Sequence, residues 1–280
     1  MLFICPNCGE KLEEITKKSS DGCSSFAIAR CKNGHSFDRA SGGYYNLLLT
    51  NVGGVHGDNK EMVLARRDFL ARGFYEPLAK AVAELVLDCT PNAGIVLDAG
   101  CGEGYYTDMI ERTLYARDSE SCVLAFDISK AAVREVKKKN ERINLAVAGS
   151  YRMPVASESV DTLVNTFSPQ APEESLRVLK RGGSFIMAIP GEDHLFDLKA
   201  AIYDTPYKNT VADTEISGFE LTSDKSIRYK MHLDSTEAVR SLFMMTPYAY
   251  RTKKENAARI LGLSELDCMA DFRLFEYKKL

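Results

Sequence analysis

Asp98, Gly100, Gly102 and Gly104 alternate along Val96-Leu97-Asp98-Ala99-Gly100-Cys101-Gly102-Glu103-Gly104-Tyr105-Tyr106. Glycine is needed where the backbone turns with positive φ or where a ligand must lie against the main chain. The spacing is not the Gly-x-Gly-x-x-Gly of dinucleotide sites. The chemistry it offers is related: a strand, a glycine turn and a helix N-terminus that cradle a nucleotide-like ligand. Asp127 follows Gly104 by 23 residues and ends the apolar run Val123-Leu124-Ala125-Phe126. A carboxylate at that place accepts both hydroxyls of a ribose. Its plainer use is to cap the next helix, where Ser129 also stands at an N-cap position.

A second chemistry sits at the N-terminus. Cys5-Pro6-Asn7-Cys8-Gly9 lets two thiolates reach one ion, and Cys31-Lys32-Asn33-Gly34-His35 offers a second pair on one turn. Cys5, Cys8, Cys31 and His35 make three sulfurs and one nitrogen, a preferred tetrahedral set for structural zinc. Cys23 is a rival for Cys31, and unligated thiols are the plain alternative. A redox Cys-x-x-Cys is disfavoured because no thioredoxin-like βαβ unit surrounds it. A module of residues 1–40 is too small to fold by burial alone, so metal would supply the folding energy.

The elements that must position these groups follow from hydrophobic patterning. Gly94-Ile95-Val96-Leu97 reads as a buried strand leading into the glycine turn, and 123–127 as its neighbour. Ile143–Ala148, Val160–Phe167 and Ser184–Pro190 read as a third, fourth and fifth strand, with a helix and Arg181-Gly182-Gly183 before the fifth. Residues 227–233 and 268–278 suggest two further strands, with helices over 197–203 and 236–244. Upstream, 61–87 reads as helix in two pieces, the second starting near Tyr75-Glu76-Pro77. Residues 41–60 read as a linker with a glycine-rich stretch. Together these predict an α/β, Rossmann-like, seven-stranded sheet with an N-terminal ribbon containing Phe26–Ala29 as a strand. Arg66, Arg67 and Arg72 read either as a solvated helix face or as contacts for RNA phosphates. Met245–Arg251 mixes aromatics with a cation, and reads either as a stacking loop for an extruded base or as a packed connection.

The chain has 280 residues, 45% hydrophobic, with a net charge of −3. That argues against a general nucleic-acid binder, although residues 1–75 carry ten Lys/Arg against eight Asp/Glu. No apolar stretch reaches the roughly 18 residues of a membrane helix. Cys5 and Cys8 fall where a secretory apolar segment would lie, which points to the cytoplasm and to thiols rather than disulfides.

The Asp-x-Gly-x-Gly-x-Gly turn with its distant Asp127 resembles the S-adenosylmethionine site of Rossmann-like methyltransferases. In that superfamily the loop at Gly149-Ser150-Tyr151-Arg152 closes on the adenine. A narrower resemblance rests on the zinc knuckle, Gly43-Tyr44-Tyr45-Asn46-Leu47-Leu48, Ala65-Arg66-Arg67-x-Phe69-Leu70, the cofactor turn through Thr107, Pro190-Gly191-x-x-His194-Leu195 and Met245-Thr246-Pro247-Tyr248. In this order they resemble the 23S ribosomal RNA (guanine-N1)-methyltransferases, over essentially the whole chain. The resemblance implies a zinc-ribbon RNA-recognition module (1–40) joined by a linker (41–60) to a methyltransferase domain (61–280). It implies a guanine in a 23S rRNA hairpin as substrate, and cofactor contacts at Tyr75, Glu103, Gly104 and His194. The Cys8 to Cys31 gap is longer than the family pattern, and Phe167-Ser168-Pro169 departs from it. His194 also stands where the fifth strand exits, at the carboxyl edge where a ligand lies.

The sequence names no catalytic base: Asp161 lies inside the fourth strand. Asn-Pro-Pro-Tyr, which binds exocyclic amines, is absent, and the placement of Cys101 and Cys122 disfavours a pyrimidine-C5 nucleophile. A small-molecule methyltransferase and a non-catalytic cofactor- or zinc-binding protein are the competing classes. The zinc module speaks against the first and the intact glycine turn against the second. Whether two chains pair as a homodimer is left open.

Overall fold

A computed structural model describes residues 2–18, 25–49, 57–211 and 214–280. The N-terminal ribbon is a three-stranded antiparallel sheet of β1 (Leu12–Lys18), β2 (Ser25–Cys31) and β3 (Ser36–Asp38). Its register sets Leu12 against Cys31 and Ile15 against Ile28. Then come β4 (Tyr45–Asn46), α1 (Lys60–Leu70) and α2 (Glu76–Cys89). The alternating unit follows: β5 (Ile95–Ala99), α3 (Tyr105–Arg117), β6 (Cys122–Asp127), α4 (Lys130–Lys139), β7 (Asn144–Val147), β8 (Val160–Thr166), α5 (Pro172–Val178) and β9 (Leu179–Pro190). The chain ends with α6 (Phe196–Ile202), β10 (Phe219–Leu233), α7 (Thr236–Met244), α8 (Lys254–Leu261) and β11 (Leu266–Lys279).

The large sheet runs β10-β11-β9-β8-β5-β6-β7-β4. β4 to β9 pair in parallel, while β11 pairs antiparallel with both β9 and β10. The order reverses between β5 and β8, and a ligand crevice opens at the carboxyl ends of strands at such a switch point. The seven expected strands are all present. The eighth, β4, comes from the expected linker: Tyr45 and Asn46 pair with Ala146 and Val147. β9 starts five residues earlier than expected because Arg181-Gly182-Gly183 sits within the strand, where the β8–β9 register shifts between Val160 and Thr162. β10 is likewise longer, since it pairs with β11 from Phe219 onward.

Strand alternation divides the core into two layers. Val96, Val123 and Ala125 face one cluster with α1, α2, α3, α6 and α7, while Leu97, Ala99, Leu124 and Phe126 face the other. That second cluster also holds Phe3, Cys5, Leu12, Ala29 and Cys31. The ribbon thus packs onto the sheet rather than standing apart. Phe3 bridges to Val155, and the Ile4 amide donates to the Pro154 carbonyl at 2.9 Å. Arg177 and Glu174 on α5 hold Met153 and Val155 from behind. Among the described residues no helix is long and apolar enough to cross a membrane.

Candidate functional site

β5 ends at Ala99 and the chain turns through Gly100, Gly102 and Gly104, with φ of 91°, 55° and 81°. The glycines serve different needs. A Cβ on Gly100 would meet the Ser168 hydroxyl at 2.0 Å, and one on Gly104 would meet Val136 at 2.7 Å. These two let the turn pack against the exit of β8 and against α4. On Gly102 a Cβ would meet only Arg66 Nη1, at 3.9 Å, so this glycine faces open space.

Asp127 ends β6 beside the turn. Its Oδ2 accepts the Gly102 amide at 3.0 Å and its Oδ1 the Ser129 amide at 2.7 Å. Helix α4 is capped by Ser129, whose Oγ accepts the Ala132 amide at 3.3 Å, so capping is not the work of Asp127. Asp98 is buried: its Oδ2 accepts the Thr107 hydroxyl at 2.6 Å, and its Oδ1 has no partner. Burial pushes its carboxyl up to about 7. Burial likewise raises Glu103 and Asp127. Among the described residues, the buried side-chain polar atoms without a hydrogen-bond partner are Asp98 Oδ1, Glu103 Oε1, Tyr106 Oη and Thr166 Oγ1. All four lie on the glycine turn, the first turn of α3 or the carboxyl ends of β5 and β8. A buried polar atom left unpaired costs roughly 1–3 kcal/mol, and four along one sheet edge mark a place built for a polar ligand.

An aromatic wall adjoins this edge. Phe167 follows β8 with φ of 57° and is 41% exposed. A bulky residue in the left-handed region is strained, by on the order of 1–3 kcal/mol. The Asn165 side chain holds the turn, accepting the Ser168 amide at 3.3 Å and donating to the Pro169 carbonyl at 3.2 Å. The Phe167 ring lies 5.6 Å from Phe272, 6.2 Å from Tyr106 and 6.5 Å from His194. His194 is buried on the exit of β9. Its Nδ1 accepts the Asp271 amide at 3.4 Å, which leaves Nε2–H facing the Tyr75 hydroxyl at 3.2 Å. Burial, with the nearby Lys199 charge, pushes the imidazole down to about 3, so the ring is neutral. Asp271 fixes the loop by accepting the Asp193 amide at 3.0 Å, and Asn209 donates to the Gly191 and His194 carbonyls.

Tyr151 stands 76% exposed in a short 3-10 turn (Ser150–Arg152) beyond β7. Asp161 turns away, as expected, to Lys180 and the Ile95 amide. The three arginines do not form one solvated face. Arg66 turns inward to Asp58 at 2.5 Å and the Met245 carbonyl at 3.4 Å. Arg67 pairs with Asp68 and Glu135, and Arg72 reaches Ser235 Oγ at 3.4 Å. The 245–251 segment packs at Met245 and Thr246 and leaves Tyr250 half-exposed against Asn59. The signal for Arg66 was in the sequence: it lies three residues after Val63 and three before Phe69, both buried on α1. Tyr106 and Thr166 gave no such signal, because only the β5–β8 adjacency brings them together.

The ribbon gathers Cys5, Cys8, Cys31 and His35 so that their donor atoms all lie within 4.8 Å of one another. Cys8 and Cys31 sulfurs are 3.7 Å apart, and His35 Nδ1 is 3.6 Å from Cys5 Sγ and 3.5 Å from Cys31 Sγ. A tetrahedron with Zn–S bonds of about 2.3 Å has edges of about 3.8 Å, so the set fits zinc. Gly9 and Gly34, at φ of 76° and 87°, turn the two knuckles. Cys23 lies outside the described residues.

Residues 96–183 match a family model described as a methyltransferase domain. A Micromonospora griseorubida protein is 32% identical over 98% of this chain and 96% of its own. Bacillus subtilis YxjB is 30% identical over 96% of this chain and 94% of its own. Both are named as 23S rRNA (guanine-N1)-methyltransferases. The 23S rRNA (guanine(748)-N(1))-methyltransferase of Streptomyces fradiae is 30% identical over 91% of this chain and 88% of its own.

Proposed function

Because the chain belongs to the 23S rRNA (guanine-N1)-methyltransferases, we propose that it transfers a methyl group from S-adenosylmethionine to N1 of a guanine in a hairpin loop of 23S rRNA. The observation that carries this reading is the row of unpaired buried polar atoms at the carboxyl edge of β5 and β8. Asp127 takes the ribose hydroxyls, the backbone of Gly100 to Gly104 borders the cofactor, and Asp98 and Glu103 face its amino-acid end. Tyr151 closes on the adenine. Tyr75 and His194 form a fixed wall, with Phe167 at its open end where the base enters.

Bound there, S-adenosylmethionine supplies an electrophilic methyl group for in-line displacement. The residues of the chain supply position, which accounts for much of the rate gain of such a transfer. His194, neutral and pushed down to about 3, is too weak a base to take the N1 proton, so its part is to hold the wall. The aromatic edge suits a base drawn out of an RNA loop. Zinc on Cys5, Cys8, Cys31 and His35 folds the ribbon that reads the RNA, and an rRNA substrate implies work in the cytoplasm.

N1 lies on the Watson–Crick edge, so its methylation stops reverse transcriptase. Primer extension on rRNA from cells with the gene, without it, and with Gly102→Arg tests the reading. A stop is expected with the wild-type gene alone, because an arginine at 102 fills the open space over the turn. A stop present in all three strains, or in none, overturns it.

A further inference from the structure

We propose that Arg66 binds the carboxylate of the cofactor's amino-acid end, across from the Asp98 and Glu103 carboxyls already assigned to that end. This rests on the glycine turn being the S-adenosylmethionine site. That end of the molecule is a zwitterion, and each of its charges needs an opposite partner once it leaves water. The acceptors are present: Asp98 Oδ1 and Glu103 Oε1 are buried and unpaired. The carboxylate needs a donor, and the group facing the open side of Gly102 is the Arg66 guanidinium, 3.9 Å from the Cβ position.

Arg66 is built for an inward role. Its side chain is 28% exposed and stays charged, because Asp58, Glu103 and Asp127 outweigh the effect of burial. Among the described residues its Nη1 meets Asp58 and its Nη2 the Met245 carbonyl. A guanidinium has five N–H donors in a planar fork, which leaves donors for a carboxylate. Asp58 is itself fixed over the exit of β6: the Ser129 hydroxyl donates to its carbonyl at 2.9 Å, and a Cβ on neighbouring Gly57 would meet Ile128 at 2.7 Å. Asp58 therefore aims the guanidinium at the turn, away from any phosphate outside.

Calorimetry with S-adenosylmethionine and its decarboxylated form tests this on the full-length zinc-bound chain. The wild type should prefer the carboxylated ligand roughly 10- to 100-fold, the range for a charge-assisted pair. Arg66→Ala should bind both ligands alike and keep its affinity for the decarboxylated form, which also controls for folding. Arg66→Lys should restore part of the preference. Equal affinities in the wild type, or an equal loss of both ligands in Arg66→Ala, overturns the assignment while leaving the cofactor site intact. A wild type that binds neither ligand overturns the site as well. An Arg66→Ala chain that retains the preference but flattens the salt dependence of rRNA binding makes Arg66 a phosphate contact instead.

Discussion

At the scale of single residues, the proposed place of the cofactor's ammonium beside the buried carboxylate of Asp98 predicts that cofactor binding depends on pH. Its carboxyl is pushed up to about 7, against about 4 in an unfolded chain. The folded state therefore binds the extra proton, and stability falls as pH rises from about 4 to about 7. Pairing with an ammonium favours the ionised form, so binding works in the opposite direction. Affinity for S-adenosylmethionine is expected to rise between pH 6 and 8, with proton release on binding below pH 7. Calorimetry in buffers of different ionisation enthalpy reads this directly, and Asp98→Asn should reduce both the release and the pH slope, leaving the share that the raised Glu103 and Asp127 carboxyls carry. Phe167 gives a second test. Phe167→Gly relieves the positive φ while deleting the ring, so its melting temperature should not fall. Its turnover on rRNA should nonetheless drop, since a stacked base is worth about 1–3 kcal/mol. Phe167→Tyr should keep turnover, and cofactor affinity should not change in either variant. A Phe167→Gly enzyme as active as the wild type removes the base from this edge.

At the scale of elements, the ribbon and the 153–155 segment depend on each other. The segment receives Phe3 and Ile4 from the ribbon and is held from behind by α5. The purified chain should hold one zinc, and Cys5→Ser or His35→Ala should release it. Hydrogen exchange should then rise across 2–18 and 25–46, and across 150–155 next to Tyr151, while β5, β6 and β8 stay protected. Zinc loss with unchanged exchange in the ribbon would count against a structural metal. Cys23→Ser should keep the metal and Cys31→Ser should lose it, because Cys31 is the cysteine that the β1–β2 register sets opposite Leu12 beside the first knuckle.

At the scale of the whole molecule, the ribbon is not a detachable module. Its buried residues share one apolar cluster with Leu97, Leu124 and Phe126 of the central sheet. Deleting 1–40 would strip Phe3 from Val155 and Glu14 and Arg39 from Tyr45, and exposed apolar patches of that kind drive association. Light scattering should find the truncated chain self-associated. The point substitution Cys5→Ser keeps the ribbon's apolar side chains on the chain, so it should self-associate less than the truncation, still bind cofactor and be deficient in rRNA methylation. A monodisperse truncated chain with full cofactor affinity would show the ribbon to be independent after all.

Local chemistry was legible in the sequence because it is set by neighbours along the chain. Alternating glycines after an apolar run dictate a turn, paired Cys-x-x-Cys and Cys-x-x-x-His spacings dictate a metal set, and short continuous apolar runs dictate the buried strands. The same logic reached Asp127, whose distance from the turn reflects one crossover helix. Tertiary structure alone decided what depends on distant segments meeting. Tyr45 joins the sheet because β7 offers a free edge there. The spacing to Val63 and Phe69 put Arg66 on the inner face of α1, but only the tertiary structure brought Asp58 and Met245 to it and set its guanidinium beside Gly102. Phe167, Tyr106 and Thr166 share one wall only because β5 and β8 lie side by side where the strand order reverses. No periodicity encodes such meetings: they follow from which strands pair and which faces they bury.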